Sequence, residues 1–165
     1  MNMKLIALIL AAGISVTAAK AQLKATPVCP PMVVDVLEGY VSHKIDCAST
    51  TGEVQKQFPC FTQVVEETNG ATCGGVLYKD KDIYFYTERD YIEVGEKFKG
   101  TLEPALMGVN RSNLFKLLGN PAMKDAGWEA YKTKYGILIL YFDGAGKINK
   151  LQMSNKGTDS IKLCE

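Results

Sequence analysis

His43 is the single histidine of the chain, and Cys47 follows it by four positions. An imidazole beside a thiol can generate a thiolate nucleophile. On a helix a spacing of four puts both groups on one face. On a strand they also share a face but stand roughly 13 Å apart, too far for direct proton transfer. The surrounding Val33, Val34, Val36, Val41 and Ile45 are β-branched and read as one strand or two short ones. The leading reading is therefore an exposed histidine beside a disulfide cysteine. A thiol-dependent enzyme using Cys47 with His43 is the alternative.

Other chemistries have weaker sequence support. Cys29, Cys47, Cys60, Cys73 and Cys164 contain no C-x-x-C pair, and their spacing is not that of a zinc site. Asp80-Lys81-Asp82 lacks the further ligands and the glycine of a calcium loop. Gly144-Ala145-Gly146-Lys147 is too short for a phosphate loop and is followed by a strand pattern, so it reads as a hairpin turn. Glu66 and Glu67 are adjacent and point apart. No catalytic residue, metal or cofactor is expected. The cysteines read instead as disulfide candidates. Five is odd, so four are expected to be bridged and one left free and unreactive, with the pairing open.

The series Tyr78, Tyr84, Phe85, Tyr86, Tyr91 and Phe98 is the best candidate for a contact surface. Alternation along Tyr84-Phe85-Tyr86 sends the tyrosines to one face and Phe85 to the other. With Phe85 in the core, Tyr84, Tyr86 and Tyr91 become candidate binding residues on the open face. Burial of the tyrosines under a helix is the competing arrangement.

The elements that must position these groups are preceded by an export signal. Lys4, the apolar run Leu5 to Ala12 and the small residues up to Ala21 form a basic, an apolar and a cleavage region. Residues 1–21 are expected to be a signal peptide and 22–165 a single small domain, secreted or periplasmic. The whole chain has 19 Lys and Arg against 18 Asp and Glu. The signal segment carries Lys4, Lys20 and no acid, which leaves 17 against 18. No basic excess argues for nucleic acid, and no second apolar run argues for a membrane span. The prolines of 22–31 suggest an irregular lead-in. Cys29, preceded by Thr26-Pro27-Val28, does not have the context of a lipidation site.

Thr50 and Glu53 fit a capping box, Val54 and Phe58 share a face, and Pro59 ends that helix. Runs at 76–78, 83–87 and 91–94 form an antiparallel meander. A second helix is expected over 111–118, capped by Asn110 or Ser112, with Leu114, Phe115, Leu117 and Leu118 apolar and Gly119 and Pro121 as stops. Strands are expected at 128–133, 136–142 and 147–153. The fold class is α+β, with short helices packed on one face of an antiparallel sheet. Two tandem helix–hairpin repeats, 45–99 and 105–165, are a candidate organisation.

The run from Gly108 through Leu114-Phe115-Lys116-Leu117-Leu118-Gly119-Asn120-Pro121, followed by a Trp/Tyr strand, Leu138–Phe142, Asp143-Gly144 and Lys147–Leu151, resembles a known pattern. It is similar to that of small outer-membrane assembly lipoproteins of the SmpA/OmlA type and of β-lactamase-inhibitor-like domains, the latter built as tandem repeats. The chain departs from the first family in lacking its lipid-anchoring cysteine, and its cysteine-rich first half has no counterpart. The resemblance implies binding rather than catalysis. The function expected is a non-enzymatic binding module whose partner is a protein or cell-envelope component. A purely structural, disulfide-stapled envelope protein is a further alternative.

Overall fold

A computed structural model describes residues 27–68 and 72–164. The expected signal peptide and the Asn69-Gly70 loop lie outside the described residues.

The chain begins with β1 (Val33–Asp35) and β2 (Tyr40–Val41), followed by helix α1 (Thr51–Gln57). A meander follows: β3 (Gln63–Val65), β4 (Gly75–Tyr78), β5 (Ile83–Tyr86) and β6 (Tyr91–Gly95). After β7 (Thr101–Glu103) come a 3₁₀ turn at Arg111–Asn113 and α2 (Phe115–Leu118). A second meander closes the chain: β8 (Met123–Lys124), β9 (Trp128–Lys132), β10 (Ile137–Phe142) and β11 (Ile148–Ser154).

The two meanders form one eight-stranded sheet in the order β3-β4-β5-β6-β11-β10-β9-β8. Its seam is the antiparallel pairing of their last strands, with Leu151 opposite Val94 and Met153 opposite Ile92. A smaller sheet, β2-β1-β7, contains the parallel β1·β7 pair, with Val34 opposite Leu102.

This arrangement corrects the expected α+β class. The protein is β-rich, with two short helices among the described residues. The β-branched 33–41 segment does not pair with the meanders. It recruits 101–103, far away in sequence, into a second sheet, whose Val34 and Val41 join the main core. The expected helix over 111–118 is reduced to a 3₁₀ turn and one α-turn. Asn110 caps Ser112, and Gly119, at φ +73°, ends the turn. Only Leu114 of its apolar set is buried, while Phe115 and Leu117 are 64% and 47% exposed. Within the large sheet, each short helix is followed by a four-stranded meander, β3–β6 after α1 and β8–β11 after α2.

The α1 cap forms as its residue types dictate. Glu53 N–H donates to Thr50 Oγ1, and Thr50 N–H donates to Glu53 Oε2. Val54 and Phe58 are buried, and Phe58 packs with Tyr78 and Phe85 at centroid distances of 6.3 and 6.2 Å. The Tyr78 hydroxyl donates to the Phe58 carbonyl at 2.6 Å, which satisfies an acceptor in the core.

The large sheet has one face in this core. Val76, Phe85, Ile92, Val94, Leu151, Met153, Leu138 and Leu140 follow one another across it in register and are almost fully buried. The same face carries one buried acid at its β9 end. Glu129 accepts from Arg111 Nε at 2.8 Å and from the Tyr131 hydroxyl. The Arg111 guanidinium also donates to the Ala126 and Asp125 carbonyls, so its charge is matched throughout.

Candidate functional site

The second face of the large sheet carries the aromatic set. Phe85, 1% exposed, points into the core, so alternation puts Tyr84 and Tyr86 opposite. Tyr91 faces Tyr86 across β5·β6 and stacks on it at 4.6 Å, while Tyr84 stacks on Tyr86 at 6.4 Å. The three tyrosines read from sequence are therefore one ladder. They are not equally open: Tyr84 and Tyr86 are half-buried, and Tyr91 is 1% exposed.

Tyr91 is covered by the last described residues. After β11, residues 155–164 run back over the second face as a strap. Ile161 and Leu163 lie on Ala130, Ile137 and Ile139. The Cys164 N–H donates to the Tyr91 hydroxyl at 3.0 Å. A disulfide from Cys164 to Cys73, Cα atoms 6.1 Å apart, fixes the strap near β4. Arg89 reinforces the closure, binding Glu67 through Nε and Nη2, both at 2.9 Å, and reaching the Leu163 carbonyl at 3.4 Å. None of this was readable locally, because the strap has no strand or helix period and the cysteine pairing is non-local.

Arg89 holds the Glu67 carboxyl below its usual range, chiefly through their hydrogen bond. A depressed carboxyl stabilises the fold fully above the unfolded glutamate pKa of about 4.3, and that contribution is lost as pH falls through the lower folded value. Melting temperature measured against pH should therefore fall less steeply below pH ~4.3 in Glu67→Gln than in the parent. Equal acid slopes would show that the pair does not couple to folding.

Beside the ladder, β6, β10 and β11 build a polar relay. The Tyr141 hydroxyl donates to Gln152 Oε1 at 2.8 Å, and Gln152 Nε2 donates to Glu93 Oε2 at 2.6 Å. Lys150 Nζ lies 3.7 Å from Glu93 Oε2 and 4.2 Å from the Tyr141 ring centroid. The Tyr84 hydroxyl donates to Asp82 Oδ1 at 3.2 Å. A shallow depression of about 510 Å³ lies over Asp82, Tyr84, Glu93, Tyr141 and Lys150 and includes Glu96. Three carboxylates, those of Asp82, Glu93 and Glu96, face one ammonium, that of Lys150. Burial pushes the Tyr86 phenol up to about 12, with Glu93 adding to the effect, and burial likewise raises Tyr84 and Tyr141. All three stay protonated near neutrality and act as donors with apolar bodies. Sequence reasoning missed Glu93, Tyr141, Lys150 and Gln152, because only the β6·β11 and β10·β11 registers bring them together.

The histidine–thiol arrangement has a different character. His43 is exposed, at φ +55°, in the turn after β2. Cys47 is buried, and its Sγ donates to the Met153 carbonyl at 3.2 Å. Burial, with Asp46 adding to it, pushes the thiol up to about 12. A thiol held protonated in the core is a poor nucleophile. The other four cysteines form two disulfides, Cys29–Cys60 and Cys73–Cys164. Native protein is expected to resist iodoacetamide at pH 7.5 and to take up one label on unfolding without reductant, as read by mass spectrometry. Rapid native labelling of Cys47 would contradict this picture.

Among the described residues, no group of three or more His, Cys, Asp or Glu is placed to hold a metal ion. Comparison with protein-family models, curated proteins and solved structures finds no match to this chain. No described helix is long and apolar enough to cross a membrane.

Proposed function

We propose that the protein is a non-enzymatic binding module, secreted or periplasmic, that contacts a protein partner of the cell envelope through the second face of its large sheet. The observation that carries this reading is the stacked Tyr84–Tyr86 pair beside Tyr141, Glu93 and Lys150 on a face that is not used by the main core. Tyrosines supply contact area and a hydrogen-bond donor at low entropic cost, and they are enriched among the residues that dominate binding. Tyr91 supports the ladder from beneath the strap. The excess of carboxylates selects a partner presenting lysine or arginine to the depression. Two disulfides fit an oxidising compartment. The binding role implied by the resemblance of residues 108–151 points the same way. The thiol-enzyme alternative has little to stand on, since it needs an accessible, ionisable Cys47.

The test compares what the parent and the variants Tyr84→Ala and Tyr141→Ala retain from a host envelope extract. A specific protein held by the parent should be held at least tenfold more weakly by each variant, and should elute as salt is raised. Equal retention by all three forms would remove the sheet face from the reading.

A further inference from the structure

The strap holds its place through few contacts. Its Lys156 pairs with Asp90 at 2.8 Å. Beyond that residue it makes two hydrogen bonds to the rest of the protein among the described residues, from the Cys164 N–H to Tyr91 and from Arg89 to the Leu163 carbonyl. Other backbone bonds along it are local, from the Ser160 and Ile161 N–H groups back to the Gly157 carbonyl. Its apolar anchors are Ile161 and Leu163, with the exposed Lys162 between them. Beneath these two, Ala130, Ile137 and Ile139 are only 1%, 2% and 5% exposed. In sheet register, Ile139 and Ala130 continue the row begun by Glu93 and Gln152, and Ile137 continues that of Tyr91 and Ser154. The strap thus covers an apolar strip that is continuous with the tyrosine face.

We infer that the strap is a redox-controlled cover: thiol–disulfide exchange at Cys73–Cys164 releases residues 157–164 and uncovers the apolar strip together with the Tyr91 hydroxyl. The two bridges are placed differently. Cys29 and Cys60 pack against the main core, whereas Cys73 and Cys164 belong to neither apolar cluster. A half-buried bridge outside the core is the one a thiolate from solvent reaches first. The co-reactant is a dithiol. Its thiolate attacks one sulfur of the pair, the S–S bond breaks and a mixed disulfide forms. The second thiol of the reductant then attacks that mixed disulfide. The reductant leaves as its own disulfide, and Cys73 and Cys164 end as thiols carrying the two protons it gave up. Two hydrogen bonds and two partly buried side chains then oppose the chain entropy regained by the freed strap. The sheet beneath keeps its ladder, because β10 pairs with β9 and β11 without the strap. Release does not depend on the protein-partner reading.

The experiment treats the folded, disulfide-intact protein with dithiothreitol, traps thiols with iodoacetamide over time and maps them by mass spectrometry. Trp128 is the single tryptophan of the chain and packs against the covered cluster, so its emission reports uncovering. The expected result is that Cys73 and Cys164 are labelled roughly tenfold sooner than Cys29 and Cys60. With that pair open, Trp128 emission shifts to the red and the N–H of position 164 loses hydrogen-exchange protection, while β10 and β11 keep theirs. Reoxidation restores the parent spectrum. The double variant Cys73→Ser, Cys164→Ser should show the red-shifted emission before any reductant is added. An opened bridge with unchanged emission and unchanged protection at position 164 would overturn the proposal. So would loss of β10 and β11 protection together with that of the strap, or opening of Cys29–Cys60 first or at the same rate.

Discussion

Replacing both Cys73 and Cys164 by serine is expected to lower stability by about 4 kcal/mol. The bridge joins residues 91 apart, and closing a loop of ~100 residues removes chain entropy worth about 4.7 kcal/mol from the unfolded state. For a domain of this size, that corresponds to a fall in melting temperature of about 8–16 °C. The shorter Cys29–Cys60 closure, 31 residues, should cost less when removed in the same way. Without its bridge, the strap is held by Ile161 and Leu163 packing, the Cys164–Tyr91 hydrogen bond and the long Arg89 contact. Hydrogen exchange should therefore show early loss of protection at the backbone N–H of position 164, while β10 and β11 stay protected. A double variant that melts within ~2 °C of the parent would mean that the strap owes its place to packing alone.

The second large effect is expected at Phe85. Its ring is 1% exposed and meets Tyr78 edge-on at 5.6 Å, as well as Phe58 from the helix side. Phe85→Ala removes the group that joins α1 to the sheet and leaves a cavity that rigid neighbouring strands cannot collapse into. The expected cost is about 3–5 kcal/mol, a large share of the roughly 5–15 kcal/mol that holds a domain folded. It would be read as a lower denaturant midpoint with an unchanged slope. A loss under ~1 kcal/mol would show that the aromatic trio repacks, and that α1 is held by its cap and by Val54 instead.

These two sites also show what was legible in the chain. Phe85 was legible: strict alternation in Ile83-Tyr84-Phe85-Tyr86 places it opposite the tyrosines, and that is a local property of an extended backbone. The Thr50–Glu53 cap was legible for the same reason, since every partner lies within one turn. Strands β4, β5, β6, β9, β10 and β11 follow their β-branched and aromatic runs. The partner of Cys73 was not legible, because nothing local to residue 73 specifies residue 164. The edges β3 and β8, three and two residues long, are too short to carry a period. Strand β7 reads as a connection because its sequence, Thr101-Leu102-Glu103, becomes a strand only where β1 offers a parallel partner. The α+β expectation failed at that point. Sequence shows that something must cover a sheet, but not whether the cover is helical. The candidate site divides in the same way, with the tyrosines visible along one strand and Glu93, Gln152, Lys150 and Tyr141 joined only by sheet register.

The seam between the meanders has a consequence for the order in which the chain can assemble. Each meander is stitched from neighbours in sequence, so its hairpins can form as soon as their residues are available. The seam cannot. β6 is complete at Gly95, yet its partner β11 ends at Ser154 and is the last strand among the described residues. A polypeptide emerging from its N-terminus therefore passes through an interval in which β6 is a bare edge. In the same interval Cys47 lacks the Met153 carbonyl and the packing that later bury it, while Cys29, Cys60 and Cys73 are already present. The thiol that is buried in the finished protein is then open beside Cys73, whose partner Cys164 has not yet emerged, and the arrival of β11 closes both the bare edge and the Cys47 exposure.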